Sequence, residues 1–213
     1  MLKLYHCPNA RSMRSLWLLY ELSVQFELVE MPFDQKYTRS PEYLAVHPLG
    51  RVPCLQHNNI TLYESGAICQ YLCENFDKDN KLGRDINHNE HSEWLQWLHY
   101  AETIAVHGAS LVQQNIIISE ELRSPTVIKL ESRRLEKSLE VLDDHLKNRD
   151  YLLKSGFSAV DTSVGYSIHM GSMFANIEDF KNVEKYYNNI KNREAFLKAL
   201  PKKISDPLEN IEE

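Results

Sequence analysis

His47-Pro48-Leu49-Gly50-Arg51-Val52-Pro53-Cys54-Leu55, followed closely by Leu62-Tyr63-Glu64-Ser65-Gly66-Ala67-Ile68, decides how the first part of this chain folds. Val52 to His57 reads as an apolar strand with a proline in it. A central strand does not accommodate proline, which has no donor for the ladder. Taken alone, Pro53 is therefore an edge residue that blocks unwanted strand addition. Asn58-Asn59 supplies two turn positions that tolerate positive φ, so Ile60 to Tyr63 returns as the second strand of a hairpin. Glu64 and Ser65 fall where that strand gives way to a helix predicted over Ser65 to Asn75. Serine is a favoured helix cap. A hydroxyl beside the free N–H groups of a helix start is also suited to an anion.

Upstream, Leu2 to Tyr5 is a short strand. Arg11 to Leu22 carries Met13, Leu16, Trp17 and Tyr20 at helical spacing, which predicts an amphipathic helix. Gln25 to Glu30 is the next strand and completes a βαβ unit. Residues 31–51 are polar and loop-like, with a short helix over Pro41 to Val46. Downstream, Asp77 to Ile86 shifts to Asp, Asn, Lys and Gly and reads as a linker. Everything beyond it is helical. His91 to Ser119 forms one long helix, bent near Gly108. Ser124-Pro125 is a cap followed by proline at the first helical position, and Leu135, Leu139, Leu142 and Leu146 share one face of the helix it opens. Ser158-Ala159-Val160-Asp161 has the form of a capping box. Two shorter helices, about Val183 to Ile190 and Arg193 to Leu200, close the pattern.

Composition narrows the function. The 213 residues carry a formal net charge of −6 with no block of Lys or Arg, which argues against nucleic acid as a partner. No apolar run approaches a membrane span. The sequence opens directly on Met1-Leu2-Lys3-Leu4-Tyr5, without the pattern of a signal peptide. Cys7, Cys54, Cys69 and Cys73 form no paired zinc motif, so reduced thiols in a cytoplasmic protein are expected. His88 and His91 share a helix face, with His99 and His107 further along, but no H-E-x-x-H set accompanies them and no metal is expected. Trp94, Trp97, Leu98 and Tyr100 read as core or interface.

The Val52-Pro53 and Glu64-Ser65 pairs, at this spacing, resemble the glutathione site of the cytosolic glutathione transferases. The order β-α-β-α-β-β-α is that of the family's thioredoxin-like domain. Tyr151-Leu152-Leu153 with Phe157-Ser158-Ala159-Val160-Asp161 is similar to a signature of its second domain, and Asn182-Val183 through Arg193-Glu194-Ala195-Phe196 resembles its closing helices. The resemblance implies a thioredoxin-like domain over residues 1–77, a linker over 78–86 and an all-α bundle over 87–213. It also implies a cis bond before Pro53, with the Val52 backbone offered to the cysteinyl part of glutathione. Glu64 would pair with the γ-glutamyl ammonium, and Ser65 with its carboxylate. Arg51 stands where the glycyl carboxylate could be met, with Lys36 and His47 as lesser candidates. A small electrophile would occupy a pocket between the domains. The helices from His91 and after Pro125 carry more apolar residues than one bundle face needs, and the family dimerises through their equivalents, so a homodimer is expected.

Two residues compete to activate the thiol. Cys7-Pro8-Asn9-Ala10 with Arg14 resembles the Cys-Pro-x-Ala loop of the omega class. A cysteine at the cap of the first helix would have a lowered pKa. Ser12, further along the same loop, offers a hydroxyl instead. The first choice favours a glutathione-dependent thiol-disulfide reductase and the second a conjugating transferase. A non-catalytic binding module on the same fold is the third alternative, since fold alone does not fix function.

Overall fold

The computed structural model describes residues 1–201; positions 202–213 of the expected helical domain lie outside the described residues. Strand β1 (Leu2–His6), helix α1 (Ser12–Glu21) and strand β2 (Glu27–Glu30) open the chain, followed by two short helices, α2 (Gln35–Thr38) and α3 (Pro41–Leu44). Strands β3 (Cys54–His57) and β4 (Ile60–Tyr63) then lead into α4 (Ser65–Phe76). The four strands form one sheet in the order β2-β1-β3-β4. β1 runs parallel to β2 and antiparallel to β3, with Tyr5 opposite Cys54, and β3 pairs antiparallel with β4. This is the thioredoxin-like arrangement, followed by an all-helical part. Leu2, Leu4 and His6 alternate inward along β1, as a half-buried strand requires. They meet α1, whose Met13, Leu16, Trp17, Leu18 and Leu19 are buried.

β3 starts one residue later than the proline. Pro53 therefore stands outside the ladder, and β3 lies between β1 and β4 rather than at an edge. The sequence places α3 but not α2. That extra turn forms because the Asp34 side chain accepts the Lys36 N–H at 2.9 Å, an N-cap interaction within an otherwise polar run. Ser40 caps α3 in the same way, with Pro41 at its start.

The helical part comprises α5 (His91–Val112), α6 (Pro125–His145), α7 (Ala159–Gly171), α8 (Lys181–Ile190) and α9 (Glu194–Ala199). Leu135, Leu139, Leu142 and Leu146 are buried along α6 as the spacing predicts. The expected bend at Gly108 is replaced by a different break. The α-helical pattern ends at Val112 and a π-helical turn runs over Gln113–Ile117, with the Ile118 N–H reaching back to the Gln113 carbonyl at 2.8 Å. Three β-branched residues in a row, Ile116 to Ile118, crowd an α-helical turn. In front of α7 the Asp161 carboxylate accepts the Ser158 N–H at 2.7 Å, the returning half of the capping box. It also accepts the Tyr186 hydroxyl at 2.9 Å and the Leu152 N–H at 3.1 Å. Burial pushes this carboxyl up to about 6, with the donated hydrogen bonds opposing the rise.

The segment between α4 and α5 is held, although its composition is that of a solvated linker. The Asp77 carboxylate accepts N–H groups from Lys81, Leu82 and Gly83 at 3.1, 2.6 and 2.7 Å. Arg84 is buried and donates to the carbonyls of Lys81 and Gly83 and to Ser155 Oγ.

Candidate functional site

The carboxyl end of β1, the amino end of β3 and the amino end of α4 come together beside the long helix α5. The Val52–Pro53 bond is cis. Tyr5 opposite Cys54 is the last paired position of β1 and β3. Neither the N–H nor the C=O of Val52 is hydrogen-bonded among the described residues. That segment is fixed from behind: Tyr43 donates its hydroxyl to the Arg51 carbonyl at 2.6 Å. Gly50 has φ +56°, and a Cβ there would lie 2.2 Å from the Thr38 carbonyl oxygen.

Glu64 is exposed and caps α4 in a left-handed conformation, φ 75°, a strained state for a residue with a Cβ and one that concentrates at functional sites. Its carboxylate has no hydrogen-bonding or ionic partner among the described residues. The first N–H groups of α4 have no intrahelical acceptor. A Cβ built on Gly66 would meet nothing within 4 Å, so the front of the helix start is open. Ser65 is 7% exposed, and its Oγ accepts a hydrogen bond from Arg14 Nη1 at 3.0 Å. The same Arg14 nitrogen reaches Glu102 Oε2 at 2.9 Å, and Arg11 grips that carboxylate with its Nε and Nη2 at 2.6–3.1 Å.

Arg51 is exposed, as a ligand contact needs to be, and His47 feels the charges of both Arg51 and Glu64. His47 itself is buried. Its Nδ1 accepts the Leu49 N–H at 3.2 Å and its ring packs 4.8 Å from Tyr63, so it supports the loop. Lys36 is exposed on α2, over the Tyr37 ring.

The two thiol-activating candidates are placed differently from expectation. Cys7 does not cap α1. The turn Pro8-Asn9-Ala10 and Arg11 intervene, and the helix starts at Ser12. The Cys7 thiol is fully buried, donates to the Pro32 carbonyl at 3.7 Å, and is pushed up to about 11 by burial and by the Glu30 charge. The expected lowering is thus overturned, because the favourable helix end is too far away and the apolar surroundings dominate. Ser12 is also fully buried. Its Oγ lies 2.8 Å from His6 Nδ1, accepts the Cys7 N–H and donates to the Cys7 carbonyl, each at 3.2 Å. Neither group reaches the surface beside Val52. The exposed polar side chain of this loop is Asn9, at φ 60°. Its signal in the sequence is faint: an asparagine after proline, a residue type that tolerates positive φ.

Two of the histidines of the helical part serve the scaffold. His91 donates to the Arg84 carbonyl at 2.7 Å, and His107 pairs with Glu131 at 2.8 Å. Among the described residues, no three His, Cys, Asp or Glu side chains converge as metal ligands.

The site thus combines a thioredoxin-like sheet joined to a helical bundle with an open backbone edge beside a helix start bearing an acid and a hydroxyl. Residues 1–74 match the family model described as the glutathione S-transferase N-terminal domain. Glutathione S-transferase 1 of Schizosaccharomyces pombe is 34% identical over 167 residues, covering 74% of this chain and 69% of that one. The chain belongs to the glutathione S-transferase family. Among solved structures, the glutathione transferase URE2P6 from Phanerochaete chrysosporium, in complex with oxidized glutathione, superposes with a TM-score of 0.84 at 25% identity, covering 93% of this chain and 94% of that one. A glutathione transferase homologue from Lodderomyces elongisporus, with two GSH per subunit, shares the fold at a TM-score of 0.85 and 19% identity, over 93% and 96% of the two chains.

Proposed function

We propose that this chain is a cytoplasmic glutathione transferase that conjugates the glutathione thiol to a small electrophile, with residues 1–77 as the glutathione-binding domain, 78–86 as the linker and 87–213 as the helical domain. The observation that carries this is the convergence of an unpaired Val52 backbone, an unpartnered Glu64 carboxylate and the open start of α4 at Ser65. In this reading Val52, positioned by Pro53, pairs with the backbone of the cysteinyl residue. Glu64 holds the γ-glutamyl ammonium, and Ser65 with the first N–H groups of α4 holds its carboxylate. Arg51 meets the glycyl carboxylate. An antiparallel peptide in this position brings its sulfur to the loop between β1 and α1. There the Asn9 amide is the exposed donor that can stabilise a thiolate and draw its pKa below the free value of ~8.5. The burial of Cys7 weighs against thiol-disulfide exchange through that residue, and hence against the omega-class likeness of the loop as a guide to chemistry. The buried Ser12 hydroxyl is equally disfavoured as activator. The electrophile would sit between this loop and α5, in keeping with a role in detoxification.

Calorimetric titration with glutathione tests the site. Ser65→Ala and Glu64→Ala should each weaken binding roughly tenfold or more, as loss of a charge-assisted hydrogen bond does. In a conjugation assay with chlorodinitrobenzene, Asn9→Ala should lower kcat by about 10²-fold while glutathione affinity holds. Unchanged affinity in both Ser65→Ala and Glu64→Ala would remove glutathione from this site.

A further inference from the structure

Asn9 sits in the loop between β1 and α1, and little within that loop holds it. The Ala10 N–H reaches back to the Cys7 carbonyl at 3.2 Å, and Asn9 has φ 60°. With proline second and a positive φ third, Cys7-Pro8-Asn9-Ala10 has the form of a type II turn. The third position of such a turn favours glycine, and asparagine takes it at some cost. Among the described residues, neither the Asn9 N–H nor its side-chain amide is hydrogen-bonded. Its carbonyl has one partner there, and that partner comes from the helical domain. The Tyr166 hydroxyl of α7 donates to it at 3.1 Å, across 157 positions of sequence.

The packing of α7 places Tyr166 for this contact. At the preceding residue, Gly165, a Cβ would stand 2.9 Å from the Trp17 ring of α1 and 2.6 Å from the Ile190 side chain. Only glycine permits that approach. The Tyr166 side chain is buried. Burial pushes its phenol up to about 12, opposed by the charges of Arg14 and Arg11 on α1 and reinforced by Glu102 on α5. The hydroxyl therefore keeps its proton through the neutral range and always has it to donate. A buried tyrosine hydroxyl needs an acceptor somewhere. What is particular here is that the acceptor belongs to the residue proposed to meet the glutathione sulfur.

We infer that Tyr166 is a positioning residue for the reaction: by holding the Asn9 carbonyl from the helical domain, it fixes the Asn9 amide as donor to the glutathione thiolate. This rests on the reading of Asn9 given above. The carbonyl and the side chain branch from the same Cα, so tying down one limits where the other is carried. A donor set in place beforehand needs no reorganisation as the thiolate forms. Without the hydroxyl, the turn is free to relax toward the negative φ that L-residues prefer, and the amide leaves the sulfur.

Tyr166→Phe removes the hydroxyl and keeps the packing of the ring. Two quantities test its role: the apparent pKa of the bound glutathione thiol, followed by the ultraviolet absorbance of its thiolate, and conjugation of chlorodinitrobenzene. In Tyr166→Phe that pKa should rise by about 0.5 or more toward the free value of ~8.5. The kcat at neutral pH should fall about fivefold to tenfold, with the glutathione Kd held within about twofold. In an Asn9→Ala background the same change should move neither quantity further, because the two residues act as a unit. A wild-type thiol pKa in Tyr166→Phe, or an equal loss of kcat in both backgrounds, overturns the assignment and leaves the hydroxyl a structural contact. A thiol pKa unmoved in Asn9→Ala itself rejects the Asn9 reading and the assignment with it, a result distinct from the other two.

Discussion

His6 and Ser12 lie side by side beneath the loop that faces the site, and their burial sets a pH limit on the fold. Desolvation pushes the His6 imidazole down to about 4. Its ordinary value is ~6.5, so the folded state favours the neutral ring. The stability this represents is complete above pH ~6.5 and is lost as pH falls through about 4, up to about 3 kcal/mol. His47, His145 and His169 are lowered by burial too and add to the same trend. Urea unfolding at pH 7 and pH 4.5 should show the loss, and His6→Gln should flatten part of it; an identical slope in that variant would mean His6 is not involved. The same buried corner explains why the sequence misleads about Cys7. Cys-Pro ahead of a helical pattern resembles a cap, but Asn9 enters the left-handed region and inserts a turn before the helix. Val52-Pro53 and Glu64-Ser65 were legible because they constrain backbone locally, whereas the ionisation of a thiol depends on what packs over it. The contacts of Arg14 with Ser65 and Glu102 span 51 and 88 positions of sequence, beyond the reach of any local pattern.

Among the elements, those with strong periodicity and a chemical start signal were readable: α1, the hairpin β3-β4, α4, α6 behind Ser124-Pro125, and α7 behind its capping box. Those decided by one side chain's hydrogen bonds were not. Helix α2 depends on Asp34, and the ordered segment before α5 depends on Asp77 and Arg84; both are polar stretches whose composition suits solvent equally well. The break falls after Val112 and not at Gly108, which stays inside α5, because the isoleucine run cannot continue the helix comfortably. The passage from α3 to β3 turns on Gly50. Gly50→Ala places a Cβ in a left-handed residue, a conformation costing L-residues roughly 1–2 kcal/mol. It also drives that Cβ against the fixed Thr38 carbonyl. Denaturant titration should show a loss of about 2 kcal/mol or more, and glutathione affinity should fall with it because Arg51 and Val52 follow directly. A variant of native stability would show that this loop yields more easily than its contacts indicate.

For the molecule as a whole, the helices α5 and α6 leave Val106, Val127, Leu130 and Val141 between 37% and 47% exposed, and the edge strand β4 leaves Ile60 and Tyr63 at 44% and 42%. Scattered exposure of this sort is ordinary on a monomer, but here it gathers on a helix pair and on an unpaired sheet edge, both of which a second copy would cover. Sedimentation at micromolar concentration should give a species of twice the 24.9 kDa chain mass. A single-chain species alone would reject the homodimer. At the other face, the left-handed backbone of Glu64 sets the two demands on this protein against each other. Glycine there would relax the helix start and steady the fold, while discarding the carboxylate proposed to meet the γ-glutamyl ammonium. Glu64→Gly should therefore raise stability and lower glutathione affinity together, a trade that denaturant titration and calorimetry read side by side.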